Sequence, residues 1–266
     1  MRKTRLLHQQ KTILSILLAF ILLFTQRLPI YASNTTLPSG ISCAVIGTEI
    51  ERYVEENIET TVGMEVSIFH ENDTIYQNYF GYADKENQIA VDENTVMEWG
   101  SVTKVLVWVS AMQLCEQGKL DLDMDIRTYL PEGFLDDLEY DTPITMIDLM
   151  NHRAGVQEVY SGLFIQEHDA ISSLADSLQA HIPPQVFEPN TVTAYSNWST
   201  GLAGYVIECI SGTGFSDYVH KNIFEPLGME HSALSPDLSD NKWVQEKRIE
   251  LQCYETDGTL IPDCFY

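Results

Sequence analysis

The chain has 266 residues, 39 of them Asp or Glu against 15 Lys or Arg, for a formal net charge of −24. So acidic a balance argues against nucleic acid and anionic membrane surfaces as partners, since both repel it. The acids are scattered rather than blocked, which describes a solvated surface on a chain long enough for one large domain or two small ones.

Arg2, Lys3, Arg5 and Lys11 precede an apolar run from Ile13 to Phe24, and the segment closes on Ile30-Tyr-Ala32 before Ser33. A basic region, a 12-residue apolar core and a small final residue describe a secretory signal peptide over residues 1–32. The core is shorter than the roughly 20 apolar residues a transmembrane helix needs. An uncleaved N-terminal anchor is the alternative, and the one route by which this reading brings the chain to a membrane. Without residues 1–32 the chain keeps ten basic residues against 39 acidic ones. The expected organisation is a signal peptide (1–32), a polar linker (33–44) and a single portion of a domain (45–266).

Thr48 to Thr60 reads as a helix with Ile50, Tyr53, Val54 and Ile58 inward. Met64, Val66 and Ile68 alternate with Glu65 and Ser67, which predicts a strand to His70. Glu71-Asn-Asp73 supplies turn chemistry, and Thr74 to Tyr82 reads as the returning strand of a hairpin.

Next comes Glu98-Trp-Gly-Ser-Val-Thr-Lys104 and a strongly apolar helical run to Gln117. Val102, Val105, Leu106, Val109, Met112, Leu114 and Cys115 recur at three- and four-residue steps, which predicts one buried stripe. Gly118 suits the left-handed position that ends a helix. Ser101 and Lys104 stand three apart, so their side chains are neighbours on one helical face. A serine hydroxyl is a poor nucleophile until a base takes its proton. A lysine serves as that base where apolar surroundings or nearby cations depress its pKa, and a buried first turn is expected to provide them. The helix dipole favours negative charge developing at Ser101.

Asp121, Asp123, Asp125 and Glu132 occupy positions of the EF-hand spacing, but Ile126 stands where the loop demands glycine and Pro131 falls in its last third. Thr145 to Asn151 reads as a short helix capped by Thr145 with Asp148 three residues on. Residues 165–180 carry a weaker helical pattern, Ser199 to Ile210 a buried one, and Phe215 to Phe224 another before Pro226 and Gly228. A strand is the reading for Arg248 to Tyr254. Five cysteines form no disulfide framework, although Cys253 and Cys264 could pair in an oxidising compartment.

The second chemical element is Tyr195-Ser-Asn197, expected in a loop between helices behind the Pro189-Asn190 turn. A tyrosine near a lysine ammonium has its phenolate favoured, so Tyr195 can share a proton with Lys104. Asn197 offers a donor and an acceptor suited to gripping a substrate amide. His152 reads as a hydrogen-bonded structural histidine before an orienting one. No Gly-x-Ser-x-Gly elbow, histidine metal spacing, Cys-x-x-Cys or dinucleotide fingerprint is found, so no metal or cofactor is expected.

Together these elements resemble the serine β-lactamase and penicillin-binding-protein superfamily, in its class C-like, D-alanyl-D-alanine carboxypeptidase/esterase branch. Ser101-Val-Thr-Lys104 resembles its Ser-x-x-Lys motif and Tyr195-Ser-Asn197 its Tyr-x-Asn motif. Gln113 to Asp123, Ile144 to His152 with Ala154-Gly155, and Asn222 to Met229 resemble the flanking segments in the right order. The resemblance implies an α+β fold, a helical subdomain plus an antiparallel sheet. It implies an exported serine hydrolase working through a Ser101 acyl-enzyme on D-Ala-D-Ala peptides, β-lactams or small esters. In that scheme Lys104 and Tyr195 move protons, Asn197 binds substrate, and the Ser101 N–H is one oxyanion donor. The family's third motif, Lys-Thr-Gly or His-x-Gly, has no counterpart after Asn197. The expectation is therefore an N-terminal portion of the domain, lacking the C-terminal sheet strands. A penicillin- or muropeptide-binding sensor without turnover and an inactive remnant are the rival readings, and localisation is secreted or cell-envelope.

Overall fold

The computed structural model describes residues 36–70, 73–160, 171–255 and 257–261. The signal segment, residues 165–170 of the weak helical pattern at 165–180, and Cys264 lie outside them, and with Cys264 the question of its pairing to Cys253. The chain divides into two compact units at Glu93 and Asn94.

The first unit is a helix and an antiparallel sheet. A 3-10 turn, Cys43–Val45, runs into α1, Ile46–Glu56, then β1 (Gly63–His70), β2 (Asp73–Asp84) and β3 (Ile89–Ala90) in the spatial order β1-β2-β3. Pairing runs from Gly63 opposite Gly81 to His70 opposite Asp73, with a bulge at Ile68/Phe69. At the open end of the hairpin the strands come too close for side chains. A Cβ on Gly81, whose φ is +69°, would stand 2.0 Å from the Val62 carbonyl oxygen. Cys43, Ile46, Ile75 and Tyr76 form the buried centre of this unit, so the end of the stretch expected as linker is packed. α1 starts and stops earlier than its periodicity suggests. Val54 is buried, but Tyr53 and Ile58 face solvent. β3 adds a strand the sequence pattern does not announce, since two residues are too few to alternate visibly.

The second unit is mainly helical. Its elements are a 3-10 turn (Gly100–Thr103), α2 (Lys104–Glu116), α3 (Met146–Met150), α4 (Leu174–Ala180), α5 (Asn197–Ser211), α6 (Phe215–Val219), a π turn (His220–Phe224), α7 (Glu225–Leu227) and α8 (Lys242–Arg248). A short ribbon follows, β4 (Cys253–Tyr254) paired antiparallel with β5 (Leu260–Ile261). Arg248 closes α8 rather than opening the strand read from the sequence.

α5 is the hub, packing against α2, α3, α4 and α6. Its Leu202, Ala203, Val206 and Ile207 are fully buried, and so are Leu114, Ile126, Met146 and Leu149 around it. At roughly 25 cal/mol per Å² of apolar surface, such side chains each contribute on the order of 1.5–3 kcal/mol. α3 carries the expected reciprocal cap: Thr145 Oγ1 accepts from the Asp148 N–H and Asp148 Oδ2 accepts from the Thr145 N–H. Asp125 caps the turn at Ile126–Thr128 and pairs with Arg127 at 2.7 Å, a structural use of the acidic stretch weighed above as a calcium loop. At the far end, Arg248 donates twice to Glu98, at 2.9 and 2.6 Å, tying α8 to the loop that enters the Ser101 turn.

The face of α2 is the main correction to the sequence reading. Val107, Ser110 and Ala111 are buried together with Leu114, the one member of the expected stripe that is, whereas Val102, Val105, Val109 and Met112 are 40–56% exposed. Both faces are apolar, so the three- and four-residue spacing fits either, and contact with α5 selects between them.

Candidate active site

Ser101 lies in the 3-10 turn that leads into α2, and Lys104 is the first residue of the α-helix. The tighter turn keeps the two side chains on one side, and Lys104 Nζ donates to Ser101 Oγ at 3.0 Å. The expected buried first turn is not found. Ser101 is exposed, Lys104 half-buried, and Val102 and Val105 point outward.

The Tyr-x-Asn segment meets this turn from 94 positions away. Ser101 Oγ and Tyr195 Oη are 2.7 Å apart, and Lys104 Nζ donates to Asn197 Oδ1 at 2.6 Å. The Lys104 ammonium also stands 5.0 Å from the centre of the Tyr195 ring. The four residues singled out in the sequence therefore converge: Lys104 bridges Ser101 and Asn197, and Tyr195 shares the serine hydroxyl. Asn197 is not in a loop, as expected, but opens α5, because Ser196 takes the N-cap position and accepts from the Ser199 N–H at 3.0 Å.

The segment 152–157 fixes this arrangement by lacing onto 184–196. The His152 carbonyl accepts from the Ala194 N–H, the Arg153 carbonyl from the Asn190 N–H, and the Gly155 carbonyl from the Val186 and Phe187 N–H groups. Gly155 has a φ of +77°, and a Cβ there would stand 1.9 Å from the Phe187 carbonyl oxygen. Only glycine permits that approach. His152, itself at a φ of +55°, accepts from the Ser196 N–H through Nδ1 at 3.2 Å and lays its ring 4.5 Å from that of Tyr195.

Charge is distributed unevenly across the cluster. Partial burial pushes the Tyr195 phenol up, but hydrogen bonding with Lys104 and Ser101 and the Lys104 charge outweigh it, so the group lies below its ordinary range. Burial, then the Lys104 cation, push His152 below its ordinary value. Glu158, which the sequence reading passed over, accepts from the Asn197 N–H with Oε2 at 2.8 Å and from the Val159 N–H with Oε1 at 3.1 Å. Its target is 39 positions downstream, and no local spacing links the two. The arrangement can deprotonate a hydroxyl: the Lys104 ammonium favours ionisation of Tyr195, and the phenolate so formed stands within hydrogen-bond reach of the exposed serine oxygen whose proton it would take.

The Beta-lactamase family model matches residues 50–247. The chain is 28% identical over 194 residues to a β-lactamase from Pseudomonas fluorescens, covering 71% of this chain and 52% of that protein. It is 24% identical over 233 residues to a putative D-alanyl-D-alanine carboxypeptidase from Escherichia coli K12, covering 80% and 52%. Among solved structures, the octameric penicillin-binding protein homologue from Pyrococcus abyssi superposes with a TM-score of 0.67 at 24% identity, over 82% of this chain and 50% of that one. The fold is thus of the β-lactamase/transpeptidase type, and the chain spans about half the length of the curated relatives it matches.

Proposed function

Because the chain belongs to the Beta-lactamase family, we propose that it is an exported serine hydrolase that works through an acyl-enzyme on Ser101. The observation that carries this reading is the sharing of Ser101 Oγ by Tyr195 Oη at 2.7 Å and Lys104 Nζ at 3.0 Å. Ser101 attacks a carbonyl carbon. Its proton passes to the Tyr195 oxygen, whose phenolate Lys104 favours, and returns through the same pair to the leaving group. The Ser101 N–H, at the amino end of the helical run, is one donor for the oxyanion. Asn197 commits its Oδ1 to Lys104, so its grip on a substrate amide is through the Nδ2 donors. No metal or cofactor enters this scheme.

Substrates of the proposed reaction are peptidoglycan D-Ala-D-Ala peptides, β-lactams or small esters, supported by the β-lactamase and carboxypeptidase relatives. These are cell-wall or small-molecule partners outside the cytoplasm. The basic, apolar and small-residue order of 1–32 supports export. Among the described residues no helix is long and apolar enough to cross a membrane.

The test is labelling with a fluorescent penicillin and an alkyl fluorophosphonate, followed by peptide mapping. The expected result is one adduct, on Ser101, absent from Ser101→Ala. Equal labelling of that variant, or an adduct on another serine, rejects the reading. An adduct that persists without turnover moves it to a penicillin-binding sensor.

A further inference from the structure

Asn197 is held at both ends. Its side-chain oxygen takes the Lys104 ammonium, while its backbone N–H, the first of the 15-residue α5, is taken by the Glu158 carboxylate. A carboxylate at that position meets the positive end of the helix dipole. Its other oxygen accepts from the Val159 N–H, which fixes the direction in which the charge faces.

We propose that Glu158 is a positioning residue of this site, anchoring the amino end of α5 at Asn197 and balancing the Lys104 cation that holds the side chain of the same asparagine. The inference rests on the serine hydrolase reading for its kinetic part only. Among the described residues, the charged and titratable groups facing Tyr195 are Lys104 from α2, Glu158 from the 156–160 segment, and His152, whose ring is tilted against that of Tyr195. Lys104 and Glu158 act on the same two neighbours with opposite sign. Lys104 draws Tyr195 and His152 down, and Glu158 draws both up. A site with Lys104 alone would hold Tyr195 ionised over a wider range, and its phenolate would be a correspondingly weaker base. Glu158 returns basicity to the oxygen that receives the Ser101 proton.

Two variants separate anchoring from charge. Glu158→Gln keeps an acceptor for the Asn197 N–H and removes the negative charge; Glu158→Ala removes both. Removing a charge that raises Tyr195 lowers its pKa. The acidic limb of Ser101 labelling against pH therefore shifts to lower pH in both variants. The plateau rate falls slightly in Glu158→Gln, as the weaker phenolate base requires, and roughly tenfold in Glu158→Ala, part of the hundredfold that an ångström of misplacement can cost. A second measurement needs no turnover. Tyrosinate absorbance is titrated for the parent chain against Tyr195→Phe, and for Glu158→Gln against Glu158→Gln/Tyr195→Phe, so that each difference isolates Tyr195. The expected result is a lower midpoint in the Glu158→Gln pair. An unmoved midpoint, with only a lower melting temperature, makes Glu158 a structural cap and overturns the proposal. Absence of labelling in the parent chain rejects the hydrolase reading, while the titration still decides the role of Glu158.

Discussion

At the scale of the single residue, the site turns on how one lysine divides its hydrogen bonds. Lys104 donates to Ser101 and to Asn197. Its loss frees Asn197 Oδ1 and removes the charge that lowers Tyr195. Lys104→Ala is expected to reduce Ser101 labelling at neutral pH by at least about 100-fold, the lower range for losing a general acid–base group. What remains should need higher pH, because Tyr195 without its cation holds its proton more tightly. A pH series of labelling rates checks both the loss and its direction. His152→Ala tests a different contribution. It strands the N–H of the buried Ser196 and removes the ring beside Tyr195. The expected cost is on the order of 1–3 kcal/mol in stability, read from denaturant melts, with a smaller effect on the labelling plateau than Lys104→Ala. Much of this cluster was legible before the fold was known. Ser101 and Lys104 are neighbours by helical geometry alone. Tyr195 and Asn197 were legible through their resemblance to a Tyr-x-Asn motif. Glu158 was not, because a carboxylate that binds a backbone N–H 39 positions away leaves no trace in spacing or periodicity.

At the scale of the element, α2 has two apolar faces with different energetic weight. Leu114 is 1% exposed in the core around α5, whereas Val109 on the other face is 40% exposed. Leu114→Ala is therefore expected to destabilise by about 2–5 kcal/mol, and Val109→Ala by no more than about 0.5–1 kcal/mol. Guanidinium melts monitored by circular dichroism distinguish them, and equal losses would restore the stripe read from periodicity. Periodicity misplaced that stripe because eight or more positions of α2 are apolar, so the hydrophobic pattern has no polar face to orient it. α3 was legible to its cap because Thr145 and Asp148 act within one turn. Asn197 shifted from loop to helix for a similarly local reason, an N-cap at Ser196 that accepts from the Ser199 N–H. The two residues of β3 fall below the length at which alternation can be seen, whereas β4 is the end of the longer strand read from Arg248 to Tyr254.

At the scale of the whole molecule, the acidic charge and the N-terminal pattern act together. Export that ends in cleavage after Ala32 removes five basic residues and no acid, so the mature chain is more acidic than the precursor. The expected outcome is a secreted form beginning at Ser33, read by N-terminal sequencing; an intact Met1 on the exported protein would establish the anchored form instead. The Glu98–Arg248 ion pair has a further consequence, in time rather than in space. Its partners are 150 positions apart, so during synthesis Glu98 leaves the ribosome long before α8 exists. Synthesis at about 5–20 residues per second separates the two by roughly 8–30 s. Closing so long a loop adds little free-energy cost over a shorter one, but it must follow the local helices. The loop that enters the Ser101 turn is thus among the last parts of the helical unit to be tethered, and the nascent chain carries its serine for seconds before that clasp can form.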